Sequence, residues 1–266
     1  MSVRVVSHTC SNTEIVCALG CADRLVAIDS DSDFPPEIVA GLPKLGRDLD
    51  IDVGAVAALR PDLVLTSLTV PGHERIVTTL QALGLPCLVI DPQSLDDVFA
   101  SIRTIAGALG VPERGERLVR EMDAAMPALS VPADAPPLLV EWWPKPVIGA
   151  ARRSWVHDLI ERAGGRNALA AFDAKSVTVD TDALAAVAPN AIVMSWCGVR
   201  PEKYRAEVVL RRAGWQDVPA VRHGRVYGVS EAFLGRPGPR LVEGYRALRR
   251  IVVTVLAEDA ARRRAG

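Results

Sequence analysis

Ala57-Ala58-Leu59-Arg60-Pro61-Asp62-Leu63-Val64-Leu65-Thr66-Ser67 returns, about half a chain later, as Ala185-Ala186-Val187-Ala188-Pro189-Asn190-Ala191-Ile192-Val193-Met194-Ser195. Each copy reads as the end of a helix, a proline that stops it, a short apolar strand, and a small hydroxyl residue at the strand's exit. An apolar run of this kind suits the middle of a parallel sheet, where helices cover both faces. A chain that carries the unit twice is expected to form two similar lobes, with a cleft between them that takes a small ligand.

Strands and helices alternate on both sides of each copy. In the first half, strands are predicted over 3–7, 26–28, 63–66 and 87–90. Ser11-Asn12-Thr13-Glu14 has the pattern of a capping box, opening a helix that stops near Gly20. Further helices are predicted over 51–59 and 73–83, the latter with Ile76, Val77, Leu80 and Leu83 on one face. Residues 94–131 read as helical: Ser94 caps one helix, and 113–129 form a second, long enough to bridge two lobes. In the second half, strands are predicted over 138–142, 191–194 and 225–229. A loop over 143–153 leads to a helix capped by Ser154; later helices are predicted over 181–187 and 240–261. The expected class is α/β, two lobes with parallel sheets joined by a long backbone helix. The N-terminal lobe is 1–93, the helical connector 94–131 and the C-terminal lobe 132–266. Ligands of such sheets bind beyond the carboxyl ends of the strands. That rule singles out loops 8–11, 67–72, 143–153 and 195–200, with the turn 233–240 beside them.

Composition narrows the function. Hydrophobic residues make up 49% of the 266 residues, which rules out bulk disorder. A formal net charge of −1 gives no reason to expect nucleic acid or acidic lipid as a partner. No apolar run approaches the ~18 residues that span a bilayer. The cysteines, Cys10, Cys17, Cys21, Cys87 and Cys197, are odd in number and lack framework spacing, which points to thiols in a reducing compartment. Met1-Ser2 leads into Val3-Arg4 with no leader pattern. The expectation is therefore cytoplasmic residence, with the periplasm as the alternative if a leader precedes these residues.

Three of the five tryptophans fall at predicted strand ends: Trp142, Trp143 and Trp196. Their flat faces suit a broad planar ligand, and burial in the core is the competing reading for each. Gly198 would let a ligand approach the backbone. His8, Cys10 and Cys197 lie on the singled-out loops and carry donors suited to zinc, haem iron or cobalt, but no ligand spacing links them. A Cys10 nucleophile served by His8 is conceivable without a family signature to support it. Arg47, Arg152, Arg153, Arg200, Arg236 and Arg240 in or near loops could grip carboxylates, or simply be solvated. There is no phosphate-binding glycine loop, dinucleotide fingerprint or Cys-x-x-Cys pair.

Several landmarks occur together: Ser11-Asn12-Thr13-Glu14, Asp33-Phe34-Pro35-Pro36, Leu59-Arg60-Pro61-Asp62-Leu63-Val64, Ala163-Gly164-Gly165-Arg166-Asn167 and Gly224-Arg225-Val226-Tyr227. In this order they resemble the helical-backbone class of ABC-transporter solute-binding proteins, which bind cobalamin and ferric siderophores. Glu141-Trp142, Trp196-Cys197-Gly198 and the run from Arg236 to Val242 resemble a leaderless branch of cobalamin binders. The resemblance implies a non-catalytic protein holding cobalamin or a related corrinoid between its lobes, with no obligatory cofactor. Trp142, Trp143, Trp196 and Phe233 would be apolar walls, and Cys10, Ser11, Ser67 and Cys197 the floor, with Gly198 and Arg236 beside them. Glu74 matches the first-lobe acidic residue through which periplasmic members dock on an ABC permease. The second docking position falls near Leu234-Gly235, which is not acidic unless Glu231 substitutes, and Ser67 stands where the cobalamin binder has a cleft tryptophan. The alternatives are a haem or ferric-chelate binder and, in another class, a cysteine-dependent enzyme acting on a tetrapyrrole or metal chelate.

Overall fold

A computed structural model describes residues 3–265. Met1-Ser2, read above for a leader, and Gly266 lie outside them. The chain divides into two compact units: Met1–Pro92 with Asp96–Met122, and Gln93–Leu95 with Asp123–Gly266.

The first unit contains β1 (Val5–Ser7), α1 (Cys10–Ala18), β2 (Leu25–Ile28), α2 (Pro36–Val39), β3 (Gly46–Arg47), β4 (Asp50–Ile51), α3 (Val53–Ala58), β5 (Leu63–Ser67), α4 (His73–Ala82) and β6 (Cys87–Ile90). Then follow α5 (Leu95–Ala108) and α6 (Pro112–Ala125). The sheet order is β2-β1-β5-β6 and every pairing is parallel, as the unbroken apolar runs require. One core of this unit gathers Val6, Ala27 and Val64 from the strands with Val56, Ile76 and Leu80 from α3 and α4. β3 and β4 form a small separate antiparallel hairpin. The helix expected over 113–129 is α6, 14 residues ending at Ala125, and the division between the units falls within it.

The second unit contains β7 (Pro137–Pro144), β8 (Val147–Ala150), α7 (Trp155–Arg162), β9 (Arg166–Asn167), β10 (Ser176–Thr178), α8 (Thr181–Val187) and β11 (Ala191–Met194). It continues with α9 (Ala206–Leu210), α10 (Pro219–Arg222), β12 (Val226–Gly228), α11 (Glu231–Leu234) and α12 (Leu241–Ala265). β9, β11 and β12 join through β7 as a parallel set, and β8 and β10 extend it antiparallel. This corrects the loop expected over 143–153. β7 runs on to Pro144, turns, and β8 returns beside it, with Trp143 opposite Ile148. Pro144 and Pro146 flank the turn, where a missing N–H removes no ladder bond from the sheet interior.

The sequence repeat is also a repeat of backbone shape. α3 and α8 each end a few residues before a proline, and β5 and β11 follow. The residue before the proline is left-handed in both copies, Arg60 at φ 47° and Ala188 at φ 38°. Two non-glycine residues in that sparsely populated region at matching positions show one turn built twice.

α12 closes the second unit with Leu241, Tyr245, Leu248, Ile251, Val252 and Val255 buried. The Arg225 guanidinium, only 2% exposed, pairs with Glu258 at 2.8 Å and with Asp259, tying the start of β12 to the helix. Gly244 sits where α12 passes the carbonyl of Phe233; a Cβ there would lie 2.1 Å from that oxygen. Alanine ordinarily favours a helix over glycine by about 1 kcal/mol. Here the clash with backbone outweighs that gain, so Gly244→Ala is expected to destabilise by about 1–3 kcal/mol, the usual range for overpacking. A fall in the urea midpoint at unchanged m-value is the expected reading.

Candidate functional site

Parallel strands bring their carboxyl ends to one edge, and in the first unit that edge is polar yet dry. Ser7, His8, Thr9, Ser11, Thr66 and Ser67 are all buried. The rings of His8 and His73 meet edge to face at 5.1 Å. His8 Nε2 lies 2.5 Å from the carbonyl oxygen of Asp48, and its Nδ1 lies 2.8 Å from Thr66 Oγ1. A carbonyl only accepts, so Nε2 carries the proton and the Thr66 hydroxyl donates to Nδ1 of a neutral ring. Burial holds the His8 pKa below its ordinary value. Asp48 is held low chiefly by its hydrogen bond with His73. Beside this group, Thr13 Oγ1 lies 2.9 Å from both Ser7 Oγ and Ser32 Oγ, and Ser32 Oγ donates to the buried Asp29 carboxylate at 2.5 Å. Burial pushes the Asp29 pKa up.

The helix start differs from the expected capping box. α1 begins at Cys10, Thr9 takes the cap position with its hydroxyl on the Ser11 hydroxyl at 3.3 Å rather than on a helix N–H, and Ser11 lies inside the first turn. Thr9 has φ 139°, ψ 146°, a region that strains a β-branched residue by about 1–3 kcal/mol and is typical of functional edges. Asn12 Nδ2 is buried without a hydrogen-bond partner. Ser67 turns its hydroxyl onto Thr69, at 2.7 Å. Cys10 is half-buried and Glu74 is exposed, its carboxylate accepting the Gly72 N–H at 2.8 Å.

In the second unit the corresponding edge is built on one ion pair. Glu141, at 0% side-chain exposure, accepts from Arg212 at 2.5 and 3.0 Å and from Trp196 Nε1 at 3.2 Å. The Arg212 guanidinium also lies over the Trp215 ring, 4.3 Å from its centre. Trp196 is thus a core side chain, 5% exposed and packed with Leu139, Met194 and Trp215. The physical reason is that the chain leaving β11 turns the Trp196 indole inward, where its N–H finds the buried Glu141 carboxylate. Tyr204 stacks edge-on to Trp196 at 5.5 Å, and burial pushes its pKa up to about 12.

Other candidate residues remain at the surface of this edge. Trp143 is 43% exposed at the tip of the β7–β8 hairpin, its N–H on the Lys145 carbonyl. Trp142 is half-buried against Trp155, ring centres 6.4 Å apart. Cys197 and Gly198 are exposed, and nothing lies within 4 Å of where a Gly198 Cβ would stand. Phe233 is half-buried under Arg240 at 5.7 Å. Arg236 pairs with Glu231 at 2.8 Å, so the acidic residue considered as a docking substitute is already engaged. Arg152 and Arg153 share Asp173 on the loop before α7. Among the described residues, no group of three or more His, Cys, Asp or Glu side chains is arranged to hold a metal ion, and no disulfide joins the cysteines. His8 in particular spends both ring nitrogens inside the unit.

Three participants were not read from the sequence. His73 and Asp48 carry no local signal, because their contact depends on a hairpin that returns over the strand ends. Arg212 sits among other arginines, and only the burial of Glu141 marks it out.

Residues 5–232 match the family described as periplasmic binding protein. The chain belongs to that family. It is 30% identical over 254 residues to the uncharacterized ABC transporter substrate-binding lipoprotein YvrC of Bacillus subtilis (strain 168), covering 92% of this chain and 78% of that one. It is 24% identical over 241 residues to the vitamin B12-binding protein of Vibrio parahaemolyticus, covering 89% and 84%. Its fold superposes on the periplasmic heme-binding protein RhuT from Roseiflexus sp. RS-1 with a TM-score of 0.80 at 27% identity, covering 96% and 99%. The chain is therefore a member of the solute-binding proteins of ABC transporters, and its task is to bind a small molecule. No helix among the described residues is long and apolar enough to cross a membrane.

Removing one partner of the buried Glu141–Arg212 pair leaves an uncompensated charge. Glu141→Ala should lower stability by about 3 kcal/mol, near the bottom of the range for such pairs because Arg212 keeps some access to water. Equilibrium urea unfolding followed by tryptophan fluorescence measures it.

Proposed function

We propose that the solute is a corrinoid, cobalamin or a precursor, held by the loops at the strand-exit edges. The observation that carries this reading is the second unit's edge. Trp142, Trp143 and Phe233 offer aromatic faces there, beside the open backbone at Cys197-Gly198. Such a surface suits a wide ring system bound through few polar contacts. A corrinoid needs no protein donor to its metal, since its own ring and appended base can fill the coordination sphere. The His8 imidazole at the first unit's edge is committed internally through both nitrogens, and the Tyr204 hydroxyl donates to the Trp196 carbonyl at 3.4 Å. The B12-binding relatives support the same ligand class.

Haem is the second reading, favoured by the likeness to a heme-binding protein. Haem iron in proteins takes a His, Cys, Met or Tyr donor. Exposed Cys197 and His157, in the first turn of α7, are the side chains that would serve. The arginines at 152 and 153 would then answer the propionates. An ABC permease is the proposed partner, with Glu74 as its contact on the first unit.

Titration with aquocobalamin, cobinamide and haemin, followed by visible spectra and calorimetry, tests the reading. Saturable one-to-one binding of a corrinoid is expected; binding of haemin alone would overturn it. Trp143→Ala is expected to weaken corrinoid binding by about 1–3 kcal/mol, the loss typical of an aromatic anchor, with stability nearly unchanged. Trp196→Ala should do the reverse, lowering stability first.

A further inference from the structure

The β3–β4 hairpin crosses the exit edge of the first unit's sheet, and nearly everything holding its tip is a side chain from that edge. His8 donates to the Asp48 carbonyl and His73 Nε2 to the Asp48 carboxylate, at 2.5 and 3.4 Å. Arg75 of α4 donates to the Leu49 carbonyl at 2.9 Å, and Asp31 accepts the Asp48 N–H at 3.2 Å. Both imidazoles are fully buried, and His73 Nδ1 has no hydrogen-bond partner. The strap is therefore fastened by two buried imidazoles whose rings meet edge to face. Leu49 itself, at the tip, stays 40% exposed and adds little burial to hold it down.

We propose that this hairpin is a proton-sensitive strap, fastened across the sheet edge by His8 and released when His8 takes up a proton. A second proton on His8 would sit in a dry site 5.1 Å from the His73 ring. The Thr66 hydroxyl, now donating to Nδ1, would have to turn about and accept. Around the pair stand Asp48 on the strap, Asp31 and Asp29 on the loop after β2, and Arg75 and Glu74 on α4; Arg47 on the strap is exposed and paired with Asp31 at 3.2 Å. The Asp48 carboxylate favours the charged ring, but desolvation outweighs it and the net direction is down.

The sign follows by linkage. Above the ordinary imidazole value of about 6.5, His8 is neutral whether the strap is closed or open, and closure has its full stability. Below that value the exposed ring of the open form takes a proton that the closed form refuses. The open population then grows, by about tenfold at one unit below the ordinary value. The use of the strap in binding rests on the functional reading above, because the loops 8–11 and 67–72 start at its anchor points. The strap itself does not depend on which ligand binds.

Hydrogen–deuterium exchange of the intact, ligand-free chain between pH 7.5 and 5.5, corrected for intrinsic exchange, tests it. Uptake by peptides covering 45–52 should rise about tenfold, while peptides covering β11 stay protected. In His8→Gln, which keeps a donor and an acceptor but cannot titrate in this range, uptake over 45–52 should not change with pH. A strap equally protected at both pH values, a variant with the wild-type pH response, or opening of β11 in step with the strap would each overturn the proposal. If His8→Gln fails to fold, NMR titration of the wild-type imidazoles decides: His8 charging at or above its ordinary value while the strap stays protected also overturns it. Loss of corrinoid binding alone bears only on the ligand assignment.

Discussion

Everything at the candidate site follows from one constraint: parallel strands end together. In each unit the strands deliver their last carbonyls and their exit residues to a single edge, where the chain turns back into helices. Polar groups collect there, and the packing that gives the sheet its stability also dries them. Every such group must find a partner inside or remain at the surface for a ligand. The first unit answers with a chain of hydroxyls, two imidazoles and the carboxylates of Asp29 and Asp48. The second answers with an ion pair, Glu141 and Arg212, onto which Trp196 is hydrogen-bonded.

That difference decides which side chains are left over for binding. In the second unit, Glu141 draws Trp196 inward, so the aromatic surface passes to Trp142, Trp143 and Phe233. In the first unit, Ser67 and His8 are paired internally, and what stays irregular is Thr9, strained at the mouth of α1, and the unpartnered amide of Asn12. Strain and an orphaned donor at the same helix start are what a small ligand's oxygen would relieve.

Much of the fold was legible because it is local. The repeat, the proline stops and the apolar runs named the parallel strands β5 and β11 to within a residue, and the 3.6-residue spacing of Ile76, Val77 and Leu80 named α4. The failures have a common cause. β8 starts directly after Pro144-Lys145-Pro146, a stretch whose prolines read as loop, yet pairing with β7 makes Val147–Ala150 a strand. Trp196 read as an apolar wall, with the core as the competing reading, because its burial depends on Glu141, 55 residues earlier in the chain. His73 read only as the start of a helix, since the hairpin carrying Asp48 must fold over it before its ring has a partner. Non-local pairing of this kind leaves no periodicity to read.

The two edges are also unequal in what disturbs them. The second unit's charges are already paired and buried, so opening that edge means separating Glu141 from Arg212 within the same core that holds Trp196 and Trp215. The first unit's edge is closed by hydrogen bonds among imidazoles, hydroxyls, carbonyls, carboxylates and the Arg75 guanidinium, each worth about 0.5–1.5 kcal/mol net and more where a charged group takes part, and by a hairpin with only two paired residues per strand. Local opening is drawn from the weakest such element. Of the two edges, the first unit's hairpin is therefore the element expected to open first. A change at Glu141, by contrast, first spends the stability of the unit that presents Trp142, Trp143 and Phe233.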